Sequence, residues 1–169
     1  AVTDFTKLLG EDNKALRKLR NIHIIACGTA YHAGLVGKYY LEQLAGIPTS
    51  VDLASEYKYR TIPPFEDTLA IAISQSGETA DSLAALREAK RRGARTLAIV
   101  NVVGSAIAKE ADQVLYTWAG PEIAVATTKA CSTQLAMVYL LDLHMAQQLG
   151  IMEEDVYKSQ VAALQTLPD

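Results

Sequence analysis

Cysteine is scarce in this 169-residue chain, which has two, Cys27 and Cys131. They lie far apart and outside any Cys-x-x-Cys spacing, which argues against a disulfide framework or a structural zinc site and fits a reducing cytoplasm. Histidine is also rare. His23, His32 and His144 show neither His-x-x-x-His nor Cys/His spacing, so no metal is expected and each reads as a surface or satisfied core residue. The longest unbroken apolar run, Leu135 to Leu141, falls far short of the roughly 20 residues that span a bilayer, and no membrane crossing is expected. Neither sign of charge dominates: 16 Lys and Arg against 19 Asp and Glu leave a net charge of −3, without the basic stripe that nucleic acid requires. There is no Asn-x-Ser/Thr sequon and no charged-then-apolar secretory start. A Gly-x-x-x-x-Gly-Lys-Ser/Thr phosphate loop is missing, and Gly28 to Gly34 does not fit Gly-x-Gly-x-x-Gly, so nucleotide cofactors lose ground and none is expected.

What is present is ordinary globular material, 50% hydrophobic and 21% charged, at a length that fits one folding unit. Glu11 to Asn21 has the charge and apolar spacing of a surface helix, and Ile22 to Ala26 reads as a strand. Thr29 is a plausible N-cap for a helix over Tyr31 to Leu44, which Gly46 and Pro48 stop. Thr49 to Leu53 reads as a strand, Ser55 to Tyr59 as a short helix and Ile62-Pro63-Pro64 as an extended breaker. Leu69 to Ile73 is a continuous apolar strand followed by a polar turn and a helix over Ala80 to Arg91, which ends at Gly93. Thr96 to Val100 is a strand, Ser105 to Glu110 a short helix and Val114 to Thr117 a fifth strand. A long helix over Val125 to Leu149 and an amphipathic one from Glu153 to Leu164 complete the chain. Strands alternating with helices predict an α/β fold, a doubly wound five-stranded parallel sheet in three α-β-α layers. Leu135 to Leu141 is apolar all round, which means burial on more than one side, either deep in this core or against a second domain or subunit.

Ligands of such sheets bind beyond the carboxyl ends of the strands. Three polar loops sit there: Cys27-Gly28-Thr29, Ser74-Gln75-Ser76-Gly77-Glu78-Thr79 and Ala126-Thr127-Thr128-Lys129. The second is the sharpest signal. A helix N-terminus leaves backbone N–H groups unpaired and carries partial positive charge, so it accepts a phosphate without a lysine. Ser74, Ser76 and Thr79 add hydroxyl donors, and Gly77 lets the backbone approach closely. A single such hydroxyl would more often be a helix cap, with Glu78 an early-turn charge; three within six residues favour a site. Gly28 and Thr29 alone are evenly balanced between cap and ligand. Cys27 has no neighbouring cation and reads as an inert buried thiol, Cys131 as mid-helix packing. Glu122 and Lys129 flank the third loop and are the few candidates for acid-base work, though each reads first as a structural or surface charge.

Taken together, Cys27-Gly28-Thr29, Ser74-Gln-Ser-Gly-Glu-Thr79-Ala-Asp81 and Val125-Ala-Thr-Thr-Lys129 resemble the sugar isomerase (SIS) domains of the glutamine:fructose-6-phosphate aminotransferase family. The resemblance extends through Ala54-Ser55-Glu56-Tyr57, Tyr59-Arg60, Asn101 and Gly104-Ser105, nearly the whole chain. It implies that Ser74, Gln75, Ser76 and Thr79 bind the phosphate of fructose 6-phosphate or glucosamine 6-phosphate, while Gly28, Thr29, Val125, Ala126 and Thr127 hold the sugar. Ala30 and Thr127 stand where serine is frequent in the family; the first lacks the hydroxyl and the second keeps one.

In that family an N-terminal glutaminase domain releases ammonia, and a tandem pair of SIS domains makes glucosamine 6-phosphate. This chain resembles the first SIS unit, with a helix near residues 11–21 and a linker helix near 153–166 included in one domain over 1–169. The family's ring-opening and Schiff-base residues lie in the second unit and its tail, so the resemblance implies binding without turnover by this part alone. Two other readings stay open: a stand-alone phosphosugar isomerase that would draw on Glu122, and a non-catalytic sugar-phosphate sensor. A homodimer, or pairing with a second SIS domain, is expected at or near the long helix.

Overall fold

The computed structural model describes residues 14–60, 67–123 and 127–167. Its elements are α1 (Lys14–Lys18), β1 (Asn21–Ala26), α2 (Gly28–Leu44), β2 (Thr49–Leu53), α3 (Ala54–Tyr57), β3 (Thr68–Ser74), α4 (Ala80–Arg91), β4 (Arg95–Val100), α5 (Ala106–Glu110), β5 (Gln113–Tyr116), α6 (Lys129–Gln148) and α7 (Glu154–Gln165). All five strands pair in parallel, in the order β2-β1-β3-β4-β5. The expected doubly wound sheet is therefore present, with its strand order reversing between β1 and β3.

The three central strands are near-continuous apolar runs because helices cover both sheet faces. Every residue of β3 is buried. Its alternation also sorts the two faces by size: Leu69, Ile71 and Ile73 pack with Leu41 of α2 and with Val138 and Leu141 of α6. On the other face Ala70 meets Tyr57 and Ala85, and Ala72 meets Leu86 and Ile107. Bulky side chains fill the space under two long helices, and alanines let α4 settle close to the sheet. Edge strand β2 is only partly covered and carries Asp52, whose carboxylate accepts hydrogen bonds from His23 Nε2 and Arg60 Nη1. Burial, and then the charge on Arg60, lower the His23 pKa to about 4, so a neutral imidazole donates here. His23 is thus a satisfied core residue.

Several boundaries differ from the sequence reading, and two of the shifts have a clear cause in the structure. The first helix stops at Lys18 rather than Asn21, because the Leu19 N–H turns back to Leu16 O (3.0 Å) and the Arg20 N–H donates to Asp67 O (2.9 Å) at the start of the sheet; residues 11–13 of that predicted helix lie outside the described ones. The long helix begins at Lys129, not Val125. Val125 and Ala126 lie outside the described residues, and the Glu122 carboxylate reaches in from the preceding loop to accept the Ala130 N–H (3.4 Å), which caps the helix at that point. The expected breaker at Ile62-Pro63-Pro64 likewise lies outside the described residues. Cys131 occupies the first turn of α6 instead of its middle.

Helix α6 packs on α2 along one side, and α7 lies along another. Tyr139 Oη donates to Gln160 Oε1 across the α6–α7 contact (3.0 Å), and Met137, Val138 and Leu141 are buried. The run from Leu135 to Leu141 is therefore covered from two directions within the described residues. Among this apolar packing sits a carboxyl group. Asp142 is fully buried and neither of its oxygens has a hydrogen-bond partner, so burial pushes its pKa up to about 9.

The sign of the resulting pH dependence follows directly. The folded chain holds the Asp142 proton that the unfolded chain releases near its ordinary value of 3.8, so stability falls as pH rises from about 4 towards about 9. Asp142→Asn removes that dependence without changing size. Its melting temperature should exceed wild type at pH 8 by at least 2–4 °C, roughly the effect of 1 kcal/mol in a domain of this size, and by less at pH 5. Thermal melts across that range check it; a variant that melts below wild type at pH 8 contradicts it.

Candidate functional site

The strand-order reversal sends the chain to opposite faces after β1 and β3, which leaves a gap at their carboxyl ends. A cleft of about 290 Å³ occupies this position, lined from three directions. The β1–α2 turn contributes Cys27, Gly28, Thr29 and Ala30; the β3–α4 loop and the start of α4 contribute Ser74, Gln75, Ser76, Thr79 and Ser82; Thr127 and Gln134 come from the approach to α6 and from α6 itself. Every predicted site residue that lies among the described ones is therefore brought to one cleft. Val125 and Ala126 lie outside them.

The β3–α4 loop is held open by bonds directed away from the cleft. The Asn101 N–H donates to Gln75 O (3.1 Å) and the Ile107 N–H to Gly77 O (2.9 Å), so two carbonyls of the loop are tied to the β4–α5 segment. Ser74, almost fully buried, accepts the Gly77 N–H on its Oγ (3.1 Å) and lies 3.4 Å from Thr79 Oγ1, while Ser76 Oγ accepts the Glu78 N–H (3.2 Å). Gly77 has φ of +66°, and a Cβ there would stand 2.6 Å from that of Ser105. The loop can take this path only with glycine at that position.

The hydroxyls shape the turn but do not cap the helix. Thr79 is the N-cap of α4 and makes no side-chain cap bond. The first intrahelical donor is the Leu83 N–H, bonded to Thr79 O (3.0 Å), which leaves the first-turn N–H groups of α4 facing the loop. Glu78 caps a different helix: its Oε1 accepts the Ala106 N–H at the start of α5 (2.9 Å). Asp81, the acidic residue in the first turn of α4, is 3.9 Å from Lys58 Nζ, which offsets its charge.

The β1–α2 turn differs from the sequence reading in one detail. Cys27 is the N-cap and Gly28, at φ of +55°, begins α2, so Thr29 lies inside the first turn and is not the cap. Cys27 is half-buried rather than sequestered, and Ser82 Oγ approaches its Sγ at 3.9 Å across the floor of the cleft. Helices α2, α4 and α6 thus point their N-terminal ends at one volume, and helix ends of this polarity favour an anion. Among the described lining residues there is no Lys, Arg, His, Asp or Glu. Any anion held here would be bound by backbone N–H groups, hydroxyls and helix dipoles. Ser82 and Gln134 were missed by sequence reasoning because each lies within a helix, past the loop motifs. Asn101 proves to be a latch between loops, donating from Nδ2 to Gly120 O (2.7 Å) and accepting the Ala119 N–H on Oδ1 (2.8 Å).

Residues 15–143 match the family model of the SIS domain. The chain is 57% identical over 154 residues to the glutamine–fructose-6-phosphate aminotransferase (isomerizing) of Clostridium tetani, which covers 91% of this chain and 25% of that protein. It is 60% identical over the same coverage to the enzyme of that name from Symbiobacterium thermophilum. The chain therefore spans about a quarter of the length of these relatives. Among solved structures it superposes on the C-terminal domain of glucosamine-fructose-6-phosphate aminotransferase from Francisella tularensis with a TM-score of 0.86 at 38% identity, covering 90% of this chain and 43% of that one. It also superposes on glucosamine-6-phosphate deaminase from Thermotoga maritima with a TM-score of 0.70 at 26% identity, covering 91% of this chain and 51% of that one.

Two glycine substitutions test the seating of the β3–α4 loop. Gly28→Ala meets only the left-handed backbone penalty, about 1–2 kcal/mol, because nothing lies within 4 Å of the added Cβ. Gly77→Ala carries the same penalty and also collides with Ser105. Urea unfolding should show a clearly larger loss for Gly77→Ala; equal losses would contradict the tight seating.

Proposed function

The chain belongs to the SIS domain family, and from that premise we propose that it is the first of two SIS domains in a glutamine–fructose-6-phosphate aminotransferase, where it binds a hexose 6-phosphate. The phosphate sits on the Ser74–Thr79 loop, against Ser74, Gln75, Ser76, Thr79 and the first-turn N–H groups of α4. The sugar extends toward Gly28, Thr29 and the 125–127 segment. The observation that carries this reading is the convergence of three helix N-termini and the three hydroxyls of the Ser74–Thr79 loop on one cleft at the strand-order reversal. An apolar or cationic ligand would leave those donors unsatisfied, whereas a phosphate dianion uses them.

The same cleft argues for binding rather than turnover by this part alone. Isomerisation of a sugar needs a proton carrier near the reacting carbons, and the described lining offers hydroxyls, a thiol and amides but no carboxylate, imidazole or amine. Glu122, the residue on which a stand-alone isomerase reading depends, is engaged in capping α6. The proton-transferring groups would come from a second SIS domain, or a second copy of this chain, packed near α6. Fructose 6-phosphate and glucosamine 6-phosphate share the phosphate that the loop reads, so both fit it.

Calorimetric titration of fructose 6-phosphate into wild type and Ser76→Ala tests the assignment. Loss of one hydrogen bond to a charged phosphate costs about 1.5–3 kcal/mol, so Kd should rise about 10-fold to 100-fold. Unchanged affinity removes Ser76 from the site, and no binding by wild type removes the cleft as a sugar-phosphate site.

A further inference from the structure

We propose that Gln134 reads the sugar part of the ligand, hydrogen-bonding a hydroxyl of the hexose while the phosphate stays on the Ser74–Thr79 loop; this rests on the sugar-phosphate reading of the cleft. Gln134 lies in the second turn of α6, is 2% exposed and lines the same cleft as the phosphate loop residues. Its Oε1 is buried without a hydrogen-bond partner. A buried polar atom without a partner calls for an explanation, because native structures satisfy nearly all of theirs. Ser105 and Asp142, among the described residues, carry such atoms without a place in the cleft. Gln134 is the one that also lines it.

The chemistry of the amide selects the part of the ligand it meets. A side-chain amide presents both an acceptor oxygen and a donor NH2, and a half-turn of the group exchanges them. The phosphate dianion of a sugar ester has no proton to donate and so leaves the oxygen unsatisfied. A sugar hydroxyl donates as well as accepts, so it alone among the groups of a hexose phosphate completes both ends of the amide. Ser74 and Ser76 accept the Gly77 and Glu78 N–H groups on Oγ, which leaves their hydroxyl protons for the phosphate, and Ser82 Oγ donates towards Cys27 Sγ. Gln134 is thereby a specificity-determining residue, separating hexose phosphates from phosphate itself.

The test compares fructose 6-phosphate with inorganic phosphate, each titrated into wild type and Gln134→Met, an apolar residue of similar length. Gln134→Met should bind fructose 6-phosphate at least 10-fold more weakly while its affinity for inorganic phosphate stays within about twofold. Its melting temperature without ligand should equal or exceed wild type, because an unpaired buried amide is replaced by an apolar group of similar shape. A structural role for Gln134 predicts the reverse, a lower melting temperature and an equal loss for both ligands, and that outcome overturns the proposal. Should Gln134→Met fail to fold, Gln134→Leu provides the same comparison, and failure of both to fold also overturns it. Wild type that binds both ligands, with the variant unchanged, overturns this proposal alone. Wild type that binds neither overturns the cleft reading itself, and this proposal with it.

Discussion

Parallel strands β1 and β3 are neighbours, yet the helices that follow them leave for opposite faces of the sheet. Among the described residues the gap at their carboxyl ends stays open, because each connection turns away from the other. Every feature of the site depends on this topological constraint. It exposes the N-termini of α2 and α4 to one volume, and α6, packed on α2, brings a third. The large side chains of β3 face α2 and α6 while its alanines face α4, so both helices seat at the depth that leaves a cleft rather than a closed core.

The loop after β3 converts that gap into a donor-rich surface. Its carbonyls at Gln75 and Gly77 are bonded outward to the β4–α5 segment, and Glu78 is occupied in capping α5. The loop residues that line the cleft, Ser74, Gln75, Ser76 and Thr79, bring hydroxyls and a side-chain amide. The negative groups nearest the loop are thus turned away or, in Asp81, paired with a lysine. An anion held here would meet no Lys or Arg among the described lining residues and would depend on fixed dipoles, which need no reorganisation when a ligand arrives. Nor is there a His, Asp or Glu among those described lining residues.

Much of this was legible in the chain itself. The apolar central strands announced a parallel sheet because burial on both faces leaves little room for polar residues, and edge strands β2 and β5 depart from that pattern. The glycine and hydroxyl cluster at Ser74–Thr79 was legible because a strand end followed by a helix start is a local property. Other features depended on distant contacts. Thr29 looked like a cap until the left-handed Gly28 started the helix before it. The start of α6 depended on Glu122 reaching in from the preceding loop, and the role of Glu78 on α5 lying beside it. Gln134 and Asp142 carry no local signal at all; only packing shows that both are buried with unpaired oxygens.

The central claim is that the reversal between β1 and β3 forms a phosphate-binding cleft, and backbone amide NMR tests it most directly. During titration with fructose 6-phosphate, the amide signals of Ser76 to Ser82 should shift most, followed by those of Gly28 to Ala30, with inorganic phosphate moving the first group alone. Shifts centred on another part of the sheet, or none at either loop at saturating ligand, would contradict the account.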